Sequence, residues 1–210
     1  LARMGRLGVD PGIPLDSVFV CTFGDASSNH ASACTAFNAA ALAHHQNLPC
    51  PLLFVCEDNG LGISTRTPEG WVARRFQADA GIKYFGANGL DVQDAYDAAC
   101  EAVRFVRETR RPAILHLRVV RLLGHAGSDV EQLYRSAAEI DATEALDPLL
   151  ATARFVVARG LMTPDAVLEQ YEELRRRCDV LGREASARPK ITTAAEVVEP
   201  LAPERSEPTR

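Results

Sequence analysis

Residues 17–65, SVFVCTFGDASSNHASACTAFNAAALAHHQNLPCPLLFVCEDNGLGIST, decide the fold. The opening SVFVCTF is a short apolar, β-branched run, and LLFVC at 52–56 is another. Continuous runs of this length are expected of strands covered on both faces in a parallel sheet. Between them, residues 29–46 are alanine-rich with high helix propensity, and Ala33, Phe37, Ala40 and Ala41 fall on one packing face. Pro49 and Pro51 stop that helix. Strand, helix and strand within this span predict a parallel crossover unit. Each strand ends in a polar turn, Gly24-Asp25 after the first and Asp58-Asn59-Gly60 after the second.

Working outward, residues 71–90 alternate short apolar pieces with glycines and receive no assignment. A helix is predicted over 91–109, with Asp91 as its cap and Val92, Ala95, Ala99, Val103 and Val106 at helical spacing. AILHLRVV at 113–120 reads as a third buried strand, in which His116 is a satisfied structural residue. A further helix is expected near 147–159. Thr163-Pro164-Asp165 then makes a strong helix start, because Thr caps, Pro fits the first turn and Asp complements the dipole. The arginines at 175–177 read as a solvated helical face, and from Pro189 the chain is rich in Pro, Glu and Thr. Residues 1–16 read as the tail of a helix followed by the turn-rich GVDPGIPLD, so the chain is expected to begin inside a domain. The expected architecture is α/β, a doubly wound, mostly parallel sheet over 1–145, with a helical extension over 146–188 and a tail or linker over 189–210.

A chain of 210 residues, 47% hydrophobic and 24% charged, can bury a substantial core. Its longest apolar runs fall short of the roughly 20 residues that span a bilayer, and its first residues lack the apolar centre of a secretory signal. A cytoplasmic protein is expected. The formal net charge of -5 comes without a large basic patch, which argues against nucleic acid as a partner. The six cysteines include no CxxC pair and read as reduced, mostly buried thiols. A zinc site from His44, His45, Cys50 and Cys56 is disfavoured: adjacent histidines point apart on a helix, and the spacing is not that of structural zinc.

In an open parallel sheet, ligands bind beyond the carboxyl ends of the strands, so Asp25 and Asn59 can converge there. Their oxygens suit a hard cation such as magnesium, which takes one or two protein groups together with phosphate and water. Ala26 and Ser27 are small enough for a phosphate to approach the main chain at the start of the following helix. The implied ligand is a metal-bound diphosphate. Taken singly, Asp25 could instead cap the helix and Asn59-Gly60 could simply turn.

The pairing of GDASSN with EDNGLGIST resembles the thiamine-diphosphate motif, in the form found in the alpha subunit of the decarboxylating component of 2-oxo acid dehydrogenase complexes. The loop RLLGHAGSD at 121–129, followed by Tyr134-Arg135, is similar to that family's cofactor-covering loop, and the three motifs occur in its order. Together they cover residues 17–185. The resemblance implies the thiamine-diphosphate-binding fold, with Asp25, the Asn59 side chain and the Leu61 carbonyl on magnesium and the Ala26 and Ser27 amides near the diphosphate. Ile63 stands where the family places the apolar wedge that bends the cofactor. His125 matches the loop histidine that approaches the diphosphate and is the catalytic candidate of this chain; Arg121, Ser128 and Asp129 order its loop. The implied reaction is oxidative decarboxylation of a 2-oxo acid, with acyl transfer to a lipoyl group on a partner acyltransferase. The carboxylate that faces the aminopyrimidine ring is expected on a beta subunit, so this chain supplies half of a site in a heterotetramer. NGLGISTRT resembles the branched-chain subgroup's turn.

Three departures stand out. Ala26 replaces the family's third glycine; Asp58 replaces the first residue of its Asn-Asn pair and adds negative charge near a diphosphate; and extra residues lie near HHQN, at a helix end that can absorb them. Slightly weaker or more magnesium-dependent binding is expected. Ala126 stands where related mitochondrial enzymes carry a phosphorylatable serine, which excludes control by phosphate at that position and leaves Ser128 as a weak candidate. Other classes are a transketolase-like or acetoin-cleaving enzyme, a noncatalytic scaffold subunit, and a magnesium-dependent phosphate hydrolase. The last lacks a nucleophile motif.

Overall fold

The structure is a computed structural model that describes residues 8, 12 and 14–201. The helix tail expected over the first residues lies outside the described residues. The chain divides into two compact units, one ending at Phe155 and one beginning at Val156.

The first unit is built on β1 (Phe19–Gly24), β2 (Leu52–Asp58), β5 (Lys83–Asn88) and β6 (Ala113–Arg118). They form one four-stranded sheet in the order β1-β2-β6-β5, all pairs parallel. A small antiparallel pair, β3 (Leu61–Gly62) with β4 (Thr65–Arg66), stands apart from it. Strand alternation sends successive side chains to opposite faces, and both faces are covered. On one face, Phe54 and Cys56 of β2 and Ile114 of β6 meet Phe37 and Ala40 of α1 (Ala31–His45) and Val72 and Phe76 of α2 (Trp71–Gln77). On the other, Leu53, Phe85, Ala113 and Leu115 meet Ala102 and Val106 of α3 (Val92–Thr109). Helices on both faces of a parallel sheet are the doubly wound arrangement read from the sequence.

Several elements depart from the reading above. β1 is an edge strand: Phe19, Val20, Cys21 and Thr22 are exposed, whereas the apolar run had implied cover on both faces. The run of residue types cannot distinguish a central strand from an edge strand. The unassigned 71–90 interval contains α2 and β5: α2 is under two turns long, shorter than the window in which helical periodicity stands out, and Gly86 interrupts the alternation of β5. On α3, Val92 is exposed, and Ala102 joins Val106 as the fully buried pair. Asp91 caps that helix, accepting from Gln93 N–H at 2.9 Å and Asp94 N–H at 3.3 Å. α1 starts at Ala31, later than expected, and stops before the prolines. Asn47 takes a left-handed φ of 55°, with Leu48 N–H donating to Ala43 O at 2.8 Å and Asn47 N–H to His44 O at 2.9 Å. That is a Schellman ending, and it accommodates the extra residues near HHQN without disturbing β2.

Beyond β6 come α4 (Ala137–Glu144) and α5 (Pro148–Ala158), the second of which contains the boundary between the units. The second unit holds α6 (Pro164–Ala187) and α7 (Ala194–Val198). Thr163 caps α6, accepting from Ala166 N–H at 3.2 Å, with Pro164 in the first turn. Arg175 pairs on the exposed face with Glu172 at 2.9 Å and Asp179 at 3.5 Å. α7 interrupts the expected tail with a capping box between Thr193 and Glu196. All six cysteines are free thiols, but the burial expected of most of them is found only at Cys56, and Cys21 and Cys178 are exposed. Among the described residues no helix is long and apolar enough to cross a membrane.

Candidate functional site

The first turn leaves β1 at Gly24 and passes through Asp25 into a 3-10 turn, Ala26–Asn29. Asp25 is 1% exposed, and its side chain makes no capping bond. The cap of α1 is His30, whose Nδ1 accepts from Ser32 N–H at 3.2 Å. Asp25 Oδ2 and Ser28 Oγ are buried without a hydrogen-bond partner. A buried carboxylate oxygen without a donor costs free energy that a cation would offset. Ala26 is half-buried, and Ser27 is exposed.

This turn is braced from α2, the helix absent from the sequence reading. Trp71 Nε1 donates to Asn29 Oδ1 at 3.0 Å, and Arg75 Nη1 donates to the Ser28 carbonyl at 2.9 Å. The Arg75 guanidinium lies 5.2 Å from the ring centroids of both Phe37 and Phe76. It thereby links the turn to the core.

The second turn follows β2. Asn59 Oδ1 accepts from Leu61 N–H at 2.9 Å, and Gly60 adopts φ 72°. A Cβ at Gly62 would stand 2.6 Å from Ala26 Cβ, so the two turns touch at this point. The methyl that replaces the family's third glycine is tolerated because residue 62 has none. Ile63 is an exposed, β-branched residue at φ 58°, a left-handed conformation costly for such a side chain. Its carbonyl accepts from Arg121 Nη1 at 2.7 Å, which helps to hold the strained residue in place.

The third loop is a hydrogen-bonded network. Arg121 donates to Tyr134 Oη at 2.5 Å and lies 3.7 Å from Asp129 and 3.6 Å from Glu131, which also pairs with Arg135 at 2.7 Å. Asp129 Oδ2 accepts from His125 N–H at 2.6 Å and from Tyr134 O–H at 2.7 Å. These two donors hold the Asp129 carboxyl below its ordinary range. His125 and Ser128 are exposed. Arg121 therefore joins the second turn to the third loop.

His116, read as structural, is 4% exposed and bonded at both ring nitrogens: Nε2 to Asp58 Oδ2 and Nδ1 to Tyr84 Oη, each at 2.8 Å. Asp58 Oδ1 accepts from Gly60 N–H at 3.0 Å. The His116 bond is the main cause of an Asp58 carboxyl held below its usual range; partial burial opposes it and the Gly60 N–H supports it. The charge that the sequence reading placed beside a diphosphate is engaged by these two donors. Its pairing with His116 was not legible, because the partners are 58 residues apart.

A cleft of about 1080 Å³ lies at the carboxyl ends of β2, β5 and β6 and includes Asn59, Leu61, Tyr84, His116, Arg118 and Arg121 in its lining. Asp25, Ala26, Ser27, Ile63 and His125 are not among its lining residues. The contact of Ala26 with Gly62 is what brings the first turn to the second, and the Arg121 bond brings Ile63 to the third loop.

A parallel α/β unit with ligand-type turns at its strand ends is the class that the fold defines. The chain belongs to the family described as Dehydrogenase E1 component, which it matches over residues 15–194. It is 32% identical over 165 residues to the mitochondrial 2-oxoisovalerate dehydrogenase subunit alpha of Caenorhabditis elegans, covering 76% of this chain and 37% of that one. The human protein of the same name is 28% identical over 177 residues, 82% of this chain and 39% of that one. The pyruvate dehydrogenase E1 component subunit alpha of Rickettsia bellii is 29% identical over 153 residues, 71% of this chain and 45% of that one. The chain thus spans less than half the length of these relatives.

Proposed function

We propose that this chain supplies the magnesium and diphosphate half of a thiamine-diphosphate site in a 2-oxo acid dehydrogenase. The observation that carries the proposal is the buried, unpartnered Asp25 oxygen on a turn packed against the 59–63 loop. The Asp25 carboxylate, the Asn59 side-chain oxygen and the Leu61 carbonyl would hold magnesium, an all-oxygen set suited to that ion. The Ala26 and Ser27 amides would face the diphosphate. Ile63 presents an apolar side chain from a fixed left-handed backbone, as a wedge against the cofactor requires. His125 would donate to the diphosphate from a loop ordered by Asp129 and Arg121. The bound cofactor supplies the nucleophilic carbon that makes decarboxylation possible, while the protein positions it and sets its electrostatics. A beta partner would add the carboxylate for the aminopyrimidine ring, and a lipoyl-bearing acyltransferase would accept the acyl group. Two of the three relatives described are named for 2-oxoisovalerate, which favours a branched-chain 2-oxo acid.

The full-length chain with its beta partner should decarboxylate 2-oxo acids only when both thiamine diphosphate and magnesium are supplied. Steady-state decarboxylation after exhaustive stripping checks this, and activity that survives without added cofactor refutes it. Ile63→Gly should leave the stability of the cofactor-free protein within about 1 kcal/mol of the parent, because relief of left-handed strain offsets the entropy of glycine. The same variant should weaken thiamine diphosphate binding in calorimetry; unchanged affinity would remove the wedge role.

A further inference from the structure

Tyr84, His116 and Asp58 form a continuous hydrogen-bonded chain from β5 through β6 to the end of β2, and it ends on the backbone of the 59–63 loop. We infer that His116, held between Tyr84 and Asp58, is a positioning residue that shapes the 59–63 loop and thereby sets the magnesium affinity of the site. The inference rests on the function proposed above.

The donor and acceptor arithmetic supports it. Asp58 faces two hydrogens at once, one from the His116 ring and one from the Gly60 amide. A carboxylate offers an acceptor to each; an asparagine would keep both contacts only with its NH₂ on His116 Nε2 and the ring proton moved to Nδ1, which reverses the bond to Tyr84. The acid at 58 is thus matched by two donors, the His116 ring and the Gly60 amide. A neutral His116 with its proton on Nε2 satisfies both of its bonds, donating to Asp58 and accepting from the Tyr84 hydroxyl. Burial pushes the Tyr84 phenol up, which keeps that hydroxyl protonated.

The consequence for the loop is geometric. Gly60, at φ 72°, lies between the two residues assigned to magnesium, Asn59 and Leu61. Its amide is fixed by Asp58, its carbonyl accepts from Thr67 N–H at 2.9 Å, and the far end of the loop is fixed by Arg121 at Ile63. Releasing the Asp58 end would let the Asn59 oxygen and the Leu61 carbonyl move relative to Asp25. The groups that orient a metal's ligands typically contribute 10–100-fold to its affinity.

The test uses the full-length chain assembled with its beta partner, and its readout is the magnesium concentration that half-saturates thiamine diphosphate binding in calorimetry. His116→Leu should raise that concentration about tenfold. His116→Gln, which keeps a donor for Asp58, should stay within about threefold of the parent, and Asp58→Ala, which removes the acceptor of both donors, should resemble the leucine variant. Melting curves of the cofactor-free proteins report folding. If His116→Leu does not fold, Tyr84→Phe deletes only the hydroxyl and should raise the half-saturation about threefold. A parental value in His116→Leu, equal losses in the leucine and glutamine variants, or a parental value in Tyr84→Phe would each overturn the inference. The parent and Asp25→Ala separate it from the proposed function. Magnesium-independent binding by the parent sinks both, whereas dependence lost in Asp25→Ala but parental in His116→Leu sinks the His116 role alone.

Discussion

Asp25→Ala is expected to lower magnesium-dependent binding of thiamine diphosphate by more than about 100-fold, since it removes the one carboxylate among the assigned ligands. The cofactor-free protein should melt no lower than the parent. Asp25 is buried with Oδ2 unpartnered, and burying such a group costs about 1–3 kcal/mol. Its removal relieves that cost and offsets the small cavity left behind. Calorimetric titration and a cofactor-free melting curve, run on the same preparation, test the two halves together. A large drop in melting temperature would mean that Asp25 is structural, and retained magnesium dependence would remove it from the metal site.

Phe76→Ala should destabilise the fold by about 3–5 kcal/mol, as expected for truncating a fully buried aromatic side chain. Phe76 is 1% exposed and meets Phe37 edge-on with centroids 4.9 Å apart; Phe37 in turn meets Phe54 at 4.9 Å. For a chain of this size, a loss of that order lowers the melting temperature by roughly 6–20 °C. Thermal unfolding followed by circular dichroism gives the value, and a loss under about 1 kcal/mol would contradict the packing described. The Arg75 guanidinium sits over the same ring and holds the Ser28 carbonyl, so the turn after β1 should loosen with the core.

Phe76 also marks where sequence reading ran out. β2 and α1 were legible because an apolar run fills the one and an alanine-rich composition of high helix propensity fills the other. α2 and β5 are short and flanked by glycines, too short for their periodicity to stand out, although together they contribute Phe76, Arg75, Tyr84 and Phe85. The edge position of β1 was hidden for a different reason: residue types report apolarity, and strand order depends on pairings distant in the chain. Asp25, Asn59, Ile63 and His125 were singled out by local motifs. Their supporting residues, Trp71, Arg75 and His116, had no local mark, because each acts on a turn from another element. Asp58 read as an unfavourable departure until His116 supplied its partner.

The strand order carries a consequence for how the protein is made. β6 lies between β2 and β5, yet it is synthesised after both. As the chain leaves the ribosome, β1, α1 and β2 can close locally, while β5 has no partner strand among the described residues until 113–118 emerge. His116 arrives with β6, so the 59–63 loop acquires its clamp with the last of the described strands of this sheet to be translated. The order of synthesis thus delays the full set of contacts on the 59–63 loop until β6 has joined the sheet.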